Sequence, residues 1–222
     1  MLDIHDEIKL LLSQKNYPCV AALQSFHRND YWLKTYSNFG KVYQRNKLRN
    51  NLLQYIEEQA KNGSNYFTFW AVFKDMDDLS EDEFEKLLWD ELSSLSSVED
   101  LNQDKDNRFS TNPEDKNFCF SIGGKAFFVV GLHPKSSRAS RRFPWPTLIF
   151  NLFEQFDNLK SLNLYDPMVK LNRQRDIKFQ GDVNPMAAKH DDTWETIQFS
   201  GKTNPPEWKC PFHFRSKTQD VV

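Results

Sequence analysis

What this 222-residue chain has little of narrows its chemistry first. Seven glycines disfavour a fold that cradles a nucleotide on a Gly-rich turn. The three cysteines, Cys19, Cys119 and Cys210, are widely spaced and form no CxxC pair, and the chain carries no HExxH. A structural or zincin-type zinc site is therefore not expected, and scattered thiols fit a reducing compartment. No apolar run reaches 18 residues, so no membrane-crossing helix is expected. The start Met1-Leu2-Asp3-Ile4-His5-Asp6-Glu7 is acidic and lacks the basic opening of a signal peptide, which predicts a cytoplasmic protein. A formal charge of −2 offers no electrostatic footprint for nucleic acid or for an anionic membrane.

Aromatic bulk takes the place of these features. Hydrophobic content is 39%, low for a globular chain, yet 19 Phe, 7 Tyr and 6 Trp can fill a core. No repeat, linker or low-complexity tract divides the chain. The reading is one α+β domain over residues 1–222, with a central, mostly antiparallel sheet flanked by helices and an irregular C-terminal third.

Apolar residues at Ile8, Leu11 and Leu12 predict an opening helix from Ile4 to about Ser13. Pro18 to Ala22 reads as a short buried segment, and Tyr31–Gly40 as a packed aromatic loop. Leu48, Leu52, Leu53, Ile56 and Ala60 recur at helical spacing, with Asn62-Gly63 as the stop. Tyr66–Phe73 is a strand by length and aromatic content. Ser80 followed by Glu81, Asp82 and Glu83 makes an N-cap and capping box for a helix burying Phe84, Leu87, Leu88, Leu92 and Leu95. Residues 96–117 read as a polar surface loop. Gly123-Gly124 joins two apolar runs in a hairpin. After Pro144 and Pro146, an amphipathic helix is expected to carry Leu148, Ile149, Leu152, Phe153 and Phe156. Beyond Lys160 the pattern weakens, with a short strand expected near Glu195–Phe199.

The densest chemistry lies at Leu132–Phe143, just past the strand Phe127–Gly131. His133 is followed there by four cations and no acid in ten residues. Pro134 holds its neighbourhood extended, and Ser136-Ser137 can cap a helix whose free N–H groups favour anions. On that helix Arg138, Arg141 and Arg142, at i, i+3 and i+4, would share a face. They would meet either the acidic helix or a ligand bearing carboxylates or phosphates. An imidazole beside cations suits haem, with His133 on iron and the arginines on propionates. His133 also reads as an ordinary loop residue.

Two later clusters carry further candidates. His190, Asp191, Asp192 and Glu195 are divalent-metal ligand types, although loop acids beside a surface His are an ordinary pattern. Glu195 and Gln198 interrupt apolar residues where the chain can line a cavity and hold a cationic group. Cys210-Pro211 can supply a thiolate to haem iron, making Cys210 a rival to His133; Cys19 after Pro18 carries the same ambiguity.

Pro18-Cys19, the His133-Pro…Ser137-Arg138…Arg141-Arg142-Phe143 motif, the Asn184…Glu195…Gln198-Phe-Ser-Gly-Lys202 block and Cys210-Pro-Phe follow one another in an order that resembles the YqcI/YcgG family. The likeness covers nearly the whole chain, and the central motif is its most specific part. The resemblance implies haem b and a haem-dependent oxidoreductase that N-hydroxylates a guanidino or amino group of a small, arginine-like molecule. It further implies O2 or peroxide as oxidant, an electron donor, and His133 as axial ligand. By position, Arg138, Arg141 and Arg142 fall on the family's basic cluster; propionate binding by them, with Ser137 beside them, is the physical reading of that cluster. Glu195 and Gln198 fall where a substrate would be held, Glu195 pairing with its guanidinium. The chain departs from the family at His190-Asp191, Phe199 and Lys202, which bears on the substrate more than on the haem. A haem sensor or carrier without turnover, and a phosphate- or nucleotide-binding module on Ser136–Arg142, are the competing classes. The assembly is open between monomer and homodimer.

Overall fold

The computed structural model describes residues 3–76, 79–96, 108–187 and 195–214. Its framework is a five-stranded sheet of β1 (Tyr31–Tyr36), β2 (Thr68–Phe73), β3 (Phe120–Ile122), β4 (Lys125–Leu132) and β5 (Thr147–Leu152), in the order β1-β2-β5-β4-β3. The β1–β2 pair is parallel and the other pairs are antiparallel. This is the α+β architecture that the composition and hairpin pattern predict.

Strand alternation sends side chains to two different layers. Phe69 and Val129 both stand in register with Phe150, so the three line one face. That face packs on α3 (Val42–Asn62) and α4 (Glu81–Leu95) through Leu48, Leu52, Tyr55, Phe84, Trp89 and Leu92. Trp70, Val72, Leu132 and Ile149 point the other way, onto Ile4, Ile8, Leu11 and Leu12 of α1 (Ile4–Leu12). Three further helices belong to this second side: α2 (Val20–His27), α5 (Phe153–Ser161) and α6 (Tyr165–Gln180). Ser80 closes a full capping box with Glu83, so α4 begins where its sequence signature says.

Several expectations are corrected. Residues 147–152 are not the first turns of a helix but β5, in the middle of the sheet. A central strand is buried on both faces, so its run of Leu, Ile and Phe carries no period-2 signal to separate it from a buried helix. Tyr31–Tyr36 is an edge strand rather than a loop; exposed Lys34 and Thr35 mask its pattern. The C-terminal third contains α6, whose burial rests on Met168 and Asp176 and therefore gives little apolar periodicity. Glu195–Gln198 is a short 3-10 turn rather than a strand.

Gly131 is required by close approach. Its N–H donates to the Phe199 carbonyl at 2.7 Å, and a Cβ there would lie 2.7 Å from the Phe84 ring and 2.8 Å from that carbonyl oxygen. This contact carries the segment after residue 195 onto β4. The Gly123-Gly124 turn of the hairpin has φ of 58° and 73°, the left-handed pair that a type I′ turn needs.

Candidate functional site

A cavity of about 280 Å3 lies against the second face of the sheet, beneath α2, α5 and α6. Trp70, Phe128, Val130, Phe153, Phe156 and Met168 give it apolar walls. Cys19, Arg141, Arg173, Asp176, Glu195 and Gln198 add the chemistry. An apolar hollow with a few convergent polar groups is the usual form of a small-molecule site, and this volume sits near the lower end of their range.

The start of α2 places Cys19. Pro18 precedes it, its own backbone is extended, and its Sγ accepts the Ala22 N–H at 3.4 Å as an N-cap. The Val20 N–H donates to Asn172 Oδ1 of α6 at 2.9 Å, and Arg175 Nε donates to the Tyr17 carbonyl at 2.7 Å. The Tyr17 hydroxyl donates to the Ser140 carbonyl at 3.1 Å. Tyr17-Pro18-Cys19 is thus fastened both to α6 and to the His133–Phe143 segment. Burial pushes the Cys19 thiol up, while the Ala22 and Ala21 N–H groups and the Arg141 charge pull it down.

The three arginines of the central motif do not share a helical face. Ala139–Arg141 is a single 3-10 turn, and the side chains diverge from it. Arg141 reaches the cavity, donating from Nη1 to the Gly131 carbonyl at 3.1 Å and from Nη2 to the Gln198 carbonyl at 3.3 Å. Among the described residues no carboxylate is bonded to it, and burial holds its pKa below the ordinary value. Arg138 is 4% exposed and already neutralised, by Asp176 at 2.8 Å and by Asp182. Asp176 Oδ2 also accepts the Asn184 N–H at 2.7 Å, so this buried ion pair fixes the chain that leads on toward Glu195. Arg142 points to the surface and bonds the Ser136 and Ser137 carbonyls. Ser137 donates from its N–H and its hydroxyl to Glu81 Oε1, tying the loop to the first turn of α4. A helix N-terminus for phosphate is thus not formed at Ser136–Arg142.

His133 lies on the other side of the sheet. It is fully buried and stacks on Phe84 of α4, with ring centroids 4.5 Å apart and planes at 22°. Neither ring nitrogen has a hydrogen-bond partner, and His133 does not line the cavity. Desolvation lowers its pKa against the opposing charge of Glu81, so the ring is neutral. Cys210 also packs with the α3–α4 core, and burial pushes its thiol up to about 12. The sheet therefore separates His133 and Cys210 from the hollow that Arg141, Glu195 and Gln198 share, and Arg142 and Ser137 do not line it, whereas Cys19 does. Gln198 Nε2 donates to Glu195 Oε2 at 3.2 Å, which orients the carboxylate.

His190, Asp191 and Asp192 lie outside the described residues. Among the described residues no three of His, Cys, Asp and Glu gather as metal ligands, and no helix is long and apolar enough to cross a membrane. Sequence reasoning missed the contribution of α6, since Asn172, Arg173 and Asp176 sit in a segment with little periodicity. The signal for Cys19 was present in Pro18-Cys19 followed by an apolar helix start. The sequence model of the YqcI/YcgG family matches residues 8–213. No curated protein and no solved structure matches the chain.

Proposed function

The chain belongs to the YqcI/YcgG family, and from that premise we propose that it is a haem-dependent monooxygenase that N-hydroxylates a guanidino or amino group of a small, arginine-like molecule in the cytoplasm. The observation that carries this reading is the apolar cavity in whose wall Glu195, Gln198, Arg141 and Cys19 converge.

The donor chemistry suits a haem. Aromatic walls favour a flat apolar ring, Arg141 and Arg173 are partners for carboxylates, and a soft sulfur is a ligand type for iron. A volume of about 280 Å3 matches an amino-acid-sized molecule and is smaller than a haem macrocycle. When bound, the haem supplies oxygen activation, with O2 or peroxide and an electron donor as its co-reactants.

The protein's own work is recognition and exclusion. Glu195 pairs with the cationic nitrogen group of the substrate, and the Gln198 amide keeps the carboxylate in one orientation. Holding that group still lowers the entropic part of the barrier to oxidation. Phe128, Phe153 and Phe156 keep water from the site, which strengthens the Glu195 contact by lowering the local dielectric. Arg138 and Asp176 act indirectly, through the chain they pin at Asn184.

The test is hemin titration of the purified protein, followed by mass spectrometry of arginine and simpler guanidines after reaction with O2 and reductant, or with peroxide. A Soret band and a product heavier by one oxygen are expected, with Glu195→Gln lowering kcat/KM by about 100-fold through loss of the charged contact. Full turnover in E195Q removes that role. Haem binding with no product from any guanidine or amine would leave a sensor or carrier instead.

A further inference from the structure

We propose that Glu85 of α4 is a positioning residue for the site: it holds the Glu195–Gln198 turn in the cavity wall from the other side of the sheet edge. The inference rests on the substrate-binding role given to Glu195 above and names the group that seats it.

Glu85 breaks the pattern of its own helix. Phe84, Leu88, Trp89 and Leu92 make the buried face of α4, and Glu85 lies among them at 9% exposure. A carboxylate taken out of water is costly unless donors surround it. Three donors do so here, all from the segment 200–204. The Ser200 hydroxyl donates to Oε1 at 3.0 Å, the Asn204 amide to Oε1 at 2.7 Å, and the Lys202 ammonium to Oε2 at 3.2 Å. Lys202 also pairs with Asp82, one turn earlier on α4, at 2.6 Å. An apolar side chain could fill the same space, but it would not fix the register of the chain lying on it. Hydrogen bonds to three particular side chains do.

That chain runs directly on from the site. β3 pairs with β4 only at Lys125–Phe127 and leaves the rest of that β4 edge without a strand. There the Gly131 N–H donates to the Phe199 carbonyl at 2.7 Å, so residue 199 lies at the sheet edge. Before it comes the 3-10 turn whose Glu195 and Gln198 line the cavity. After it come the three residues fastened to α4.

No flexible joint separates the two. The Phe199 N–H donates to the Thr196 carbonyl and the Gly201 N–H to the Gln198 carbonyl, each at 3.1 Å. The buried Phe199 ring stacks on Trp89 of α4, with centroids 5.6 Å apart and planes at 13°. It also meets Phe128 of the cavity wall edge-on at 5.5 Å. Gly201 has φ of +81°, and a Cβ there would lie 3.1 Å from Arg141 Cγ, so the chain is confined on that side too. A displacement at Ser200 therefore reaches Gln198, whose amide orients the Glu195 carboxylate. Glu85 does not line the cavity and acts only through this path.

The experiment compares the full wild-type chain with Glu85→Ala, Ser200→Ala, Glu195→Gln and the E85A/E195Q double variant. Hydrogen exchange with mass spectrometry comes first, since it needs neither haem nor substrate. E85A is expected to speed exchange of the Gly131, Phe199 and Gly201 amides at least about tenfold, with α3 and β2 protected as in wild type. Unchanged exchange at those amides overturns the proposal. The second readout is kcat/KM for arginine per mole of bound haem. E85A is expected to lose about tenfold, mainly in KM, and the double variant to lose no more than the about 100-fold of E195Q, because both act through one contact. A residue that only stabilises the fold would leave kcat/KM per loaded molecule at the wild-type value. It could also multiply with E195Q to about 1,000-fold, as independent sites do. Either result refutes the positioning role. Should E85A not fold, S200A removes one donor and leaves α4 intact, and smaller shifts of the same sign are required of it. If wild type forms no product from any guanidine, the N-hydroxylation reading fails, while the exchange result still decides whether Glu85 seats the turn.

Discussion

His133 and Arg141 are eight residues apart, and their backbones are bonded to each other, the His133 N–H donating to the Arg141 carbonyl at 3.1 Å. Their side chains nevertheless serve opposite layers, because adjacent strand-like segments alternate faces. The His133 ring is buried with both nitrogens unpartnered, and an unpaired buried polar group costs about 1–3 kcal/mol. Replacing it by Phe keeps the stack on Phe84 and removes that cost. H133F is therefore expected to be more stable than wild type by about 1 kcal/mol in urea unfolding at neutral pH. The pH dependence has a definite sign. Desolvation holds the folded-state pKa below the ordinary 6.5, so the unfolded chain binds more protons as pH falls through that value. Wild-type stability should drop below pH 6.5, and H133F should show a flatter profile; a steeper one would contradict the neutral, structural ring.

At the scale of elements, what the sequence makes legible follows from which patterns burial leaves behind. The amphipathic helices α1, α3 and α4 and the hairpin β3–β4 each carry a local signature: a stripe, a capping box, a Gly-Gly turn. β5 does not, since a strand covered on both faces loses its alternation. α6 is polar nearly all round, with Leu164, Leu171 and Ile177 among the exposed residues around it, so its existence depends on what it covers. The same holds for the site. Glu195, Gln198 and Arg141 could be singled out from residue type, while the third wall of the cavity comes from the unrecognised helix. Gly131 is the joint where these elements meet: β4, Phe84 of α4 and the backbone at Phe199. Gly131→Ala would place a Cβ inside contact with a backbone oxygen that cannot rotate away. Overpacking of this kind costs about 1–3 kcal/mol, and the urea midpoint should fall accordingly. A midpoint equal to wild type would mean that the Phe199 segment is not seated on β4.

At the scale of the whole molecule, one sheet divides two kinds of interior. The α3–α4 side is a closed aromatic core built around Phe69, Phe127 and Phe150. The α1–α2–α6 side is less completely filled and contains the cavity. The sequence orders the motif blocks correctly but says nothing of which side each faces, since a one-residue change of register would exchange them. That division is why the His-Pro…Arg-Arg-Phe motif acts as a hinge pin rather than a single binding face. Its His and Ser137 belong to the α4 layer, Arg138 holds α6, and Arg141 opens on the cavity. Placing the haem on the cavity side is the central claim. A crystal structure of the hemin-loaded protein tests it most directly: density for the ring is expected on the cavity side of the sheet, on the wall that Arg141 and Glu195 share. Density on the α4 side, against His133, would contradict the account.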